Sequence, residues 1–274
     1  MNVSFIQPEQ LLTPYVALIW VFESSFGVPM ADSRIIVPDG RAKIILPFGN
    51  ALCAAVNQNV LTATEHQIFL IGIQRSPAII GSTATNTRTI GMELTPKGLY
   101  HFFKLNMYEL TDRMVSFEEL FGPWAVQLQN RVGDADDPQE KIALLQAGLA
   151  QLLQQNQQEY ALLDHALDLI AQAHGMLTIR ELAGQVGYTK RYLDVLFKNH
   201  VGLSPKSLAS ILRFQACYQV LTRQTSPTSL RNSLPAYYYD QAHFIKEFKR
   251  FTGYTPHHYR EVANDFGKAF TAQH

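Results

Sequence analysis

Few side chains of this 274-residue chain have the type and spacing that catalysis or metal binding requires. The adjacent glutamates at residues 118–119 resemble a carboxylate pair, but neighbours on a helix point about 100° apart, so we interpret them as first-turn charges. His66 and His101 are isolated, whereas zinc or iron sites need three or four convergent ligands. Cys53 and Cys217 form neither a metal-ligand pattern nor a disulfide framework. We expect no catalytic residue, metal or cofactor, and cysteines typical of a reducing cytoplasm.

Cationic side chains suggest a second kind of chemistry, because they are enriched in the last part of the chain. The net charge of the whole sequence is zero. Residues 1–160 carry 10 Lys and Arg against 15 Asp and Glu, whereas residues 161–274 carry 13 against 8. An imbalance of five charges is modest, but its sign indicates a nucleic-acid-binding module joined to another domain.

The last hundred or so residues contain an internal repeat. A repeat of this kind indicates a duplicated structural unit. Five residues of the first copy have counterparts of the same class 51 positions downstream. Leu193, Phe197, Gly202, Ser204 and Pro205 recur as Phe244, Phe248, Gly253, Thr255 and Pro256.

Helix caps predict the structure of each copy. Residues 178–181 read Thr-Ile-Arg-Glu, a capping box that predicts a helix from about Ile179. Gly187 predicts the end of that helix, and Thr189 predicts the cap of the next one. Two helices joined by a short turn containing glycine are typical of a helix-turn-helix unit. Asp240 predicts the corresponding cap in the second copy.

The second helix of each copy leaves polar side chains off its apolar face, and a helix of this kind fits the major groove of DNA. A long helix from residues 204–205 would hold the two copies at a fixed separation, so that they reach successive groove faces roughly 34 Å apart. Asp194 can accept a bond from a cytosine amino group or pair with a neighbouring lysine. In the first copy, the residues predicted to contact bases or nearby phosphates are Lys190, Arg191, Asp194 and Lys198. In the second copy they are Gln241, Ala242, Ile245 and Lys246. Contacts with phosphates alone are predicted for Arg213, Lys249 and Arg250.

This region resembles the DNA-binding domain of the AraC/XylS family of bacterial transcription regulators. The resemblance rests on Leu-Asp-Val-Leu-Phe at 193–197 with Gly-Leu-Ser-Pro at 202–205, and on Tyr-Tyr-Asp-Gln-Ala-His-Phe at 238–244 with Phe-Lys-Arg-Phe-Thr-Gly-Tyr-Thr-Pro at 248–256. It implies a seven-helix module with two helix-turn-helix units that binds promoter DNA. Family members commonly join this module to a variable sensor domain.

The sequence departs from the family pattern at three positions. Pro235 stands inside the expected first helix of the second unit, and Tyr237 stands where family members usually have glycine. An interior proline costs a helix about 3 kcal/mol or more. We therefore expect a short or bent helix, and we hypothesise that the second unit binds DNA less specifically than the first. Val195 occupies a position where a basic residue is frequent.

The front half has the pattern of a β-rich domain followed by helices. Short β-branched and aromatic runs predict strands at 15–22, 35–37, 43–46, 67–73, 78–80 and 88–94, and caps predict helices at 96–105, from 116 and from 137 to about 155. Residues 1–155 resemble a domain of unknown function that precedes AraC-type modules. The resemblance rests on Val-Pro-Asp-Gly at 37–40 and Gly-Met-Glu-Leu-Thr-Pro-Lys-Gly at 91–98, and it implies a cupin-like β-barrel with trailing helices.

A barrel of this size can hold one small ligand. Large aromatic side chains of the front half are candidates for lining it, and the alternative interpretation is that they are ordinary core residues. The candidate ligand-binding residues are Trp20, Phe22, Phe48, Phe69 and Tyr100.

Together these patterns predict an α+β multidomain protein, with a sensor or dimerisation domain at 1–155 and an AraC-type DNA-binding domain at 160–264. We expect a cytoplasmic, sequence-specific transcription regulator, not an enzyme. Its partner would be double-stranded promoter DNA. Further candidate partners are RNA polymerase and a small-molecule effector. A second copy of the chain, bound through the apolar residues 142–153, is also a candidate. No apolar run approaches the roughly 18 residues of a membrane helix.

Two alternatives remain open at this stage. The first is a protein-interaction regulator that has lost specific DNA binding, which the proline at position 235 and the weak net charge favour. The second is a small-molecule enzyme in the front barrel, which would need converging titratable groups that the sequence does not display.

Overall fold

The computed structural model describes residues 2–26, 35–50, 52–56, 59–82, 85–156, 158, 160–223 and 237–262. Within these ranges the strands are β1 (Asn2–Ile6), β2 (Val16–Ser24), β3 (Ile35–Ile36), β4 (Ala42–Pro47), β5 (Cys53–Val56), β6 (Asn59–Thr62), β7 (Phe69–Ile71), β8 (Ala78–Gly81), β9 (Thr87–Leu94) and β10 (Met114–Ser116). The helices are α1 (Pro96–Phe102), α2 (Phe117–Phe121), α3 (Pro123–Asp134), α4 (Pro138–Gln155), α5 (Ala161–Gln172), α6 (Ile179–Val186), α7 (Lys190–Val201), α8 (Pro205–Arg223), α9 (Gln241–Thr252) and α10 (Pro256–Val262), with a short 3₁₀ helix at Met107–Leu110.

The strands form two antiparallel sheets, one ordered β1-β2-β9-β4-β7-β10 and the other ordered β3-β8-β5-β6. Successive side chains of a strand point to opposite faces. Strand β2 therefore sends Ile19 into the main core, whereas Trp20 and Phe22 enter a second cluster. Ile80 of the smaller sheet packs against that second cluster, which places it between the two sheets.

The predicted α+β class, with a sheet-rich front part and a helical back part, is confirmed. The sheets do not close into a complete barrel in the described ranges, because β1 and β10 remain the edges of the larger sheet and β3 and β6 those of the smaller. The predicted closed β-barrel is therefore wrong for these residues: the front part is an open double sheet, accompanied by helices α1 to α4.

The predicted caps of the first helix-turn-helix unit are present. Thr178 and Glu181 form a reciprocal capping box at the start of α6, and that helix ends at Gly187. The hydroxyl of Thr189 caps α7, which ends at Gly202. These local bonds satisfy backbone groups that a helix end leaves without partners, so they fix the helix boundaries.

The front part packs directly against the helical part. The hydroxyl of Thr111 donates a hydrogen bond to the carbonyl oxygen of Gly202 at 2.8 Å. The Tyr100 hydroxyl donates to Asp164 Oδ1 at 2.6 Å, and burial followed by this hydrogen bond raises the pKa of Tyr100. The end of α7 is thereby held against the end of the 3₁₀ helix, and the start of α5 is held against α1.

The turn at residues 38–40, one of the motifs of the front half, lies against α8. The side-chain amide of Gln215 donates to the carbonyl oxygen of Pro38 at 2.6 Å. A β carbon at Gly40 would lie 3.1 Å from Leu208 Cδ1, so the turn and the helix are in close contact. The predicted turn is therefore also an interface between the front part and α8.

We expect Gly202→Ala to destabilise the protein more than Gly253→Ala. Both glycines follow the second helix of a repeat with φ of +87° and +83°, so alanine strains the backbone by about 1–2 kcal/mol at either position. At position 202 the new β carbon would also lie 2.7 Å from Thr111 Oγ1 and 2.8 Å from the Met107 oxygen, whereas at 253 its nearest neighbour is Pro77 Cγ at 3.9 Å. In a denaturant titration, the free energy of unfolding should fall by about 1–3 kcal/mol more for Gly202→Ala than for Gly253→Ala. Equal losses would contradict the docking of α7 on the front part.

Candidate nucleic-acid interface

Helix α7 has one buried face and one exposed cationic face. Leu193, Phe197 and Val201 are buried, and this fixes the rotation of the helix about its axis. Lys190 and Arg191 are exposed in the first turn. Within the described residues neither cation takes part in an ion pair, so both are available to a phosphate or a base edge.

Two further candidates on α7, Asp194 and Lys198, bind each other. The Lys198 ammonium lies 2.8 Å from Asp194 Oδ2, and about two fifths of each side chain is exposed. The hydrogen bond to the carboxylate raises the pKa of Lys198. The ion pair, one of the two roles open to Asp194, is therefore present, and contacts of these residues with DNA stay a prediction.

Helix α9 repeats this arrangement in the second unit. Asp240 Oδ1 accepts a hydrogen bond from the backbone N–H of His243 at 2.7 Å and caps the helix, as predicted. Phe244, Phe248 and Phe251 are buried. The predicted contact residues Gln241, Ala242, Ile245, Lys246, Lys249 and Arg250 all lie on the exposed side.

Glu247 joins α9 to α8. Its carboxylate accepts hydrogen bonds from Ser210 Oγ and, at 3.0 Å, from Arg213 Nη2. Burial raises the pKa of a carboxyl, but these hydrogen bonds and the Arg213 charge outweigh burial and hold the pKa of Glu247 below its ordinary value of 4.5. Phe214 of α8 packs on Phe251 with ring centroids 4.8 Å apart. Polar and aromatic contacts together fix α9 relative to α8.

The structure gives Arg213 a different environment from that of the other predicted phosphate ligands. Its guanidinium pairs with Glu247 and lies over the Tyr238 ring, 5.4 Å from the centroid, and 22 % of its side chain is exposed. Arg213 therefore holds α9 in place, and its phosphate contact stays a prediction.

Sequence reasoning missed Glu247. The available signal was its repeat counterpart Leu196, since a carboxylate at an apolar helix position indicates a buried ion pair.

The predicted short or bent helix around Pro235 lies outside the described residues. Tyr237, the neighbouring departure from the family pattern, is described and half-buried. The hypothesis of a less specific second unit therefore stays open.

The five aromatic residues predicted for a ligand pocket are all buried, but they do not surround one common cavity. Trp20 and Phe22 belong to the cluster between the sheets, whereas Phe48 and Tyr100 belong to the main core. Phe69 lies in β7. Trp20 is the member of the set that lines a cavity of about 110 Å³ between the sheets. Burial in separate clusters favours the alternative interpretation, that these residues form the core.

The cavity between the sheets has mainly apolar walls and a few polar atoms. Ile45, Ile71 and Ile80 line it. The Thr89 hydroxyl and the Gln74 amide oxygen also face this region, and neither has a hydrogen-bond partner within the described residues. Because a buried polar atom without a partner costs free energy, these two oxygens are candidates for binding a polar group of a small molecule.

The described residues contain no group of three or more His, Cys, Asp and Glu side chains placed to hold a metal ion. In the same part of the chain, no helix has both the length and the apolar character needed to cross a membrane.

The two capped helices with cationic faces, joined through α8, have the arrangement expected of the second helices of two helix-turn-helix units. Residues 182–261 match the family described as "Helix-turn-helix domain", and residues 4–116 match "Domain of unknown function (DUF6597)". The back part of the chain is thus similar to a helix-turn-helix family, as its motifs predicted, and it follows a part that is similar to a domain family of unknown function.

Two transcription regulators are similar to part of this chain. The raffinose operon transcriptional regulatory protein RafR of Pediococcus pentosaceus is 36 % identical over 85 residues, which is 31 % of this chain and 30 % of RafR. The F1 operon positive regulatory protein of Yersinia pestis is 34 % identical over 76 residues, or 28 % of this chain and 25 % of that protein. The chain thus spans less than a third of the length of either regulator. Neither relative is described as an enzyme.

Among solved structures, an apo form of ToxT from Vibrio cholerae is similar with a TM-score of 0.45 and 11 % sequence identity. The superposition covers 90 % of this chain and 97 % of ToxT.

We expect Glu247→Gln to remove part of the pH dependence of stability. Because the folded-state pKa of Glu247 is lowered, its stabilisation is present above the unfolded value of 4.5 and is lost as the pH falls through the folded-state pKa. Glutamine keeps an acceptor for Ser210 but has no charge for Arg213. Thermal unfolding between about pH 3 and about pH 7 should show a variant that is less stable by about 1–3 kcal/mol at neutral pH and approaches the native protein in acid. A constant difference across this range would contradict the assigned role.

We expect Thr89→Val and Thr87→Val to change stability differently. Both threonines are fully buried on β9, and the Thr87 hydroxyl lies 2.8 Å from Ser82 Oγ. Removing that bonded hydroxyl should lower the free energy of unfolding by about 1 kcal/mol, whereas a methyl group at position 89 should leave it unchanged or raise it by up to about 1 kcal/mol. Denaturant titration measures both. Equal losses would show that the Thr89 hydroxyl has a partner in solution and would remove it as a ligand contact.

Proposed function

We propose that this chain is a one-component transcription regulator that binds promoter DNA through its helical back part. The observation that carries the proposal is the pair of capped helices α7 and α9, each with an aromatic or aliphatic buried face and an exposed face bearing cations. A helix presented in this way fits the major groove and places its first turns at the base edges. The protein acts in the cytoplasm, where the DNA lies, and RNA polymerase is a further candidate partner.

The contacts divide by position on the helices. Lys246 lies near the middle of the exposed face of α9, Arg191 lies beside the middle of the exposed face of α7, and both meet base edges. Lys249 and Arg250 lie in the last turn of α9 and contact phosphates, which adds affinity without sequence information. The module thus combines contacts to base edges with contacts to the DNA phosphate backbone.

The front part, residues 1–155, has the role of a sensor. The cavity between its sheets, with the Thr89 and Gln74 oxygens inside, supports binding of a small molecule there. Its contacts with α7 and α8 give such a molecule a physical route to the DNA-binding part at 160–264. We place the boundary between the two parts in the polar segment after α4.

A second copy of the chain remains a candidate partner, but not through the apolar face of α4. Ile142, Leu145 and Leu149 of that helix are buried within the chain itself. A dimer would therefore use other residues, and its existence is tested by the mass of the protein in solution.

Selection of bound sequences from a random duplex DNA library tests the proposal. The full chain at a stated salt concentration should enrich one motif, and its affinity should fall as salt rises because phosphate contacts release counterions. A folded protein that enriches no motif with or without candidate effectors would favour the protein-interaction alternative. Turnover of a compound bound in the front cavity would favour the enzyme alternative.

We expect Arg191→Ala to weaken binding to the enriched duplex by about 1–3 kcal/mol and to relax its preference at one base pair, because the side chain reads a base edge. Lys246→Ala should lower the binding free energy by less than Arg191→Ala does, because the sequence predicts that the second unit is less specific. Arg131→Ala, an exposed arginine on α3 in the front part, is the matched control and should leave binding unchanged. Fluorescence anisotropy with the duplex measures all three. Equal losses at 191 and 246 would contradict the hypothesis of a less specific second unit.

A further inference from the structure

The exposed face of α7 carries an apolar patch beside its cations. Tyr188, Tyr192 and Val195 are about half exposed, although large apolar side chains are usually buried. The rings of Tyr188 and Tyr192 stack on each other with centroids 5.0 Å apart. The side chain of Val195 lies one helical turn further along the same side. A contiguous patch of this kind on a folded protein indicates contact with a partner.

Val195 lies at the centre of that exposed face. The buried face is set by Leu193, Phe197 and Val201, and at about 100° per residue position 195 points almost directly away from their mean direction. A helix inserted in a groove brings the residue at this position closest to the floor. The repeat counterpart of Val195 in α9 is Lys246, so the two units place different chemistry at equivalent positions.

Charge complementarity identifies the partner of this patch. Arg191 lies one helical turn before Val195, beside the patch, and is without an ion pair among the described residues. An apolar centre beside an unpaired cation complements the DNA major groove, where phosphates border the base edges. The one apolar group that base edges display there is the 5-methyl group of thymine.

We propose, on the basis of the DNA-binding function above, that Val195 is a specificity-determining residue that selects thymine by packing on its 5-methyl group. The first unit then reads its half-site through an apolar contact at the centre and cationic contacts beside it. The second unit has Lys246 at the equivalent position, so it selects a hydrogen-bond acceptor instead. The two halves of the bound sequence therefore differ, even though the two units share one fold.

The test compares thymine with uracil, which lacks the 5-methyl group and keeps the same base-pairing edge. The duplex enriched by the full chain from a random library is resynthesised with deoxyuridine replacing thymidine at one position at a time. Binding of each duplex is measured for the native protein, for Val195→Ser and for Leu11→Ser. Leu11 is the matched control, because it is similarly exposed but lies in the front part.

The native protein and Leu11→Ser should bind about threefold to fivefold more weakly when deoxyuridine replaces one or two thymidines of a single half-site, as expected for losing one buried methyl group. Val195→Ser should bind the thymidine and deoxyuridine duplexes equally at those positions. Insensitivity of the native protein to every replacement, or an unchanged thymidine preference in Val195→Ser, would overturn the proposal while leaving DNA binding intact. Failure to enrich any sequence would instead overturn the DNA-binding function on which the proposal rests.

Discussion

The arrangement of the two helices that we propose to bind DNA depends on the buried carboxylate of Glu247. A buried charge is tolerated only where it is paired and hydrogen-bonded, and Ser210 and Arg213 of α8 provide both. Because Glu247 belongs to the second recognition helix, this bond sets the orientation of α9 on α8. Helix α7 is connected to the start of α8 by the short segment after Gly202, so α8 relates the two recognition helices to each other. If either Glu247 or Arg213 were replaced, the remaining buried charge would have no partner, and this would cost more free energy than the ion pair itself contributes.

The same long helix also connects DNA binding to the front part. Gln215 of α8 donates a hydrogen bond to the turn at residues 38–40, and Thr111 holds the end of α7. The turn follows β3, whose residue Ile36 lines the cavity between the sheets. A molecule bound in that cavity is therefore separated from α8 by one strand and one turn. Such a chain of packed contacts would bias the position of α8 if the turn at residues 38–40 had two arrangements that the bound molecule distinguishes.

Local features of the fold followed from the sequence, and long-range features did not. The caps at Thr178, Thr189 and Asp240 were predicted because each bond joins residues three apart. The two partners of Glu247 on α8 lie 34 and 37 residues away in the chain, so no local pattern indicates them. The five aromatic residues of the front half were grouped by type, yet strand order assigns them to different clusters. Helix α3 was not predicted, since the residue that precedes it, Gly122, has no side chain to cap it.

Binding to duplexes with altered spacing between the two halves of the recognised sequence tests most directly whether α8 holds the two recognition helices at a fixed separation. Two helices held by one rigid element reach groove faces about one helical turn apart, roughly 10 base pairs. Inserting about 5 or about 10 base pairs between the halves should therefore reduce the affinity to that of a single half-site. Undiminished binding after the insertion of about 5 base pairs would contradict the rigid connection through α8 and Glu247.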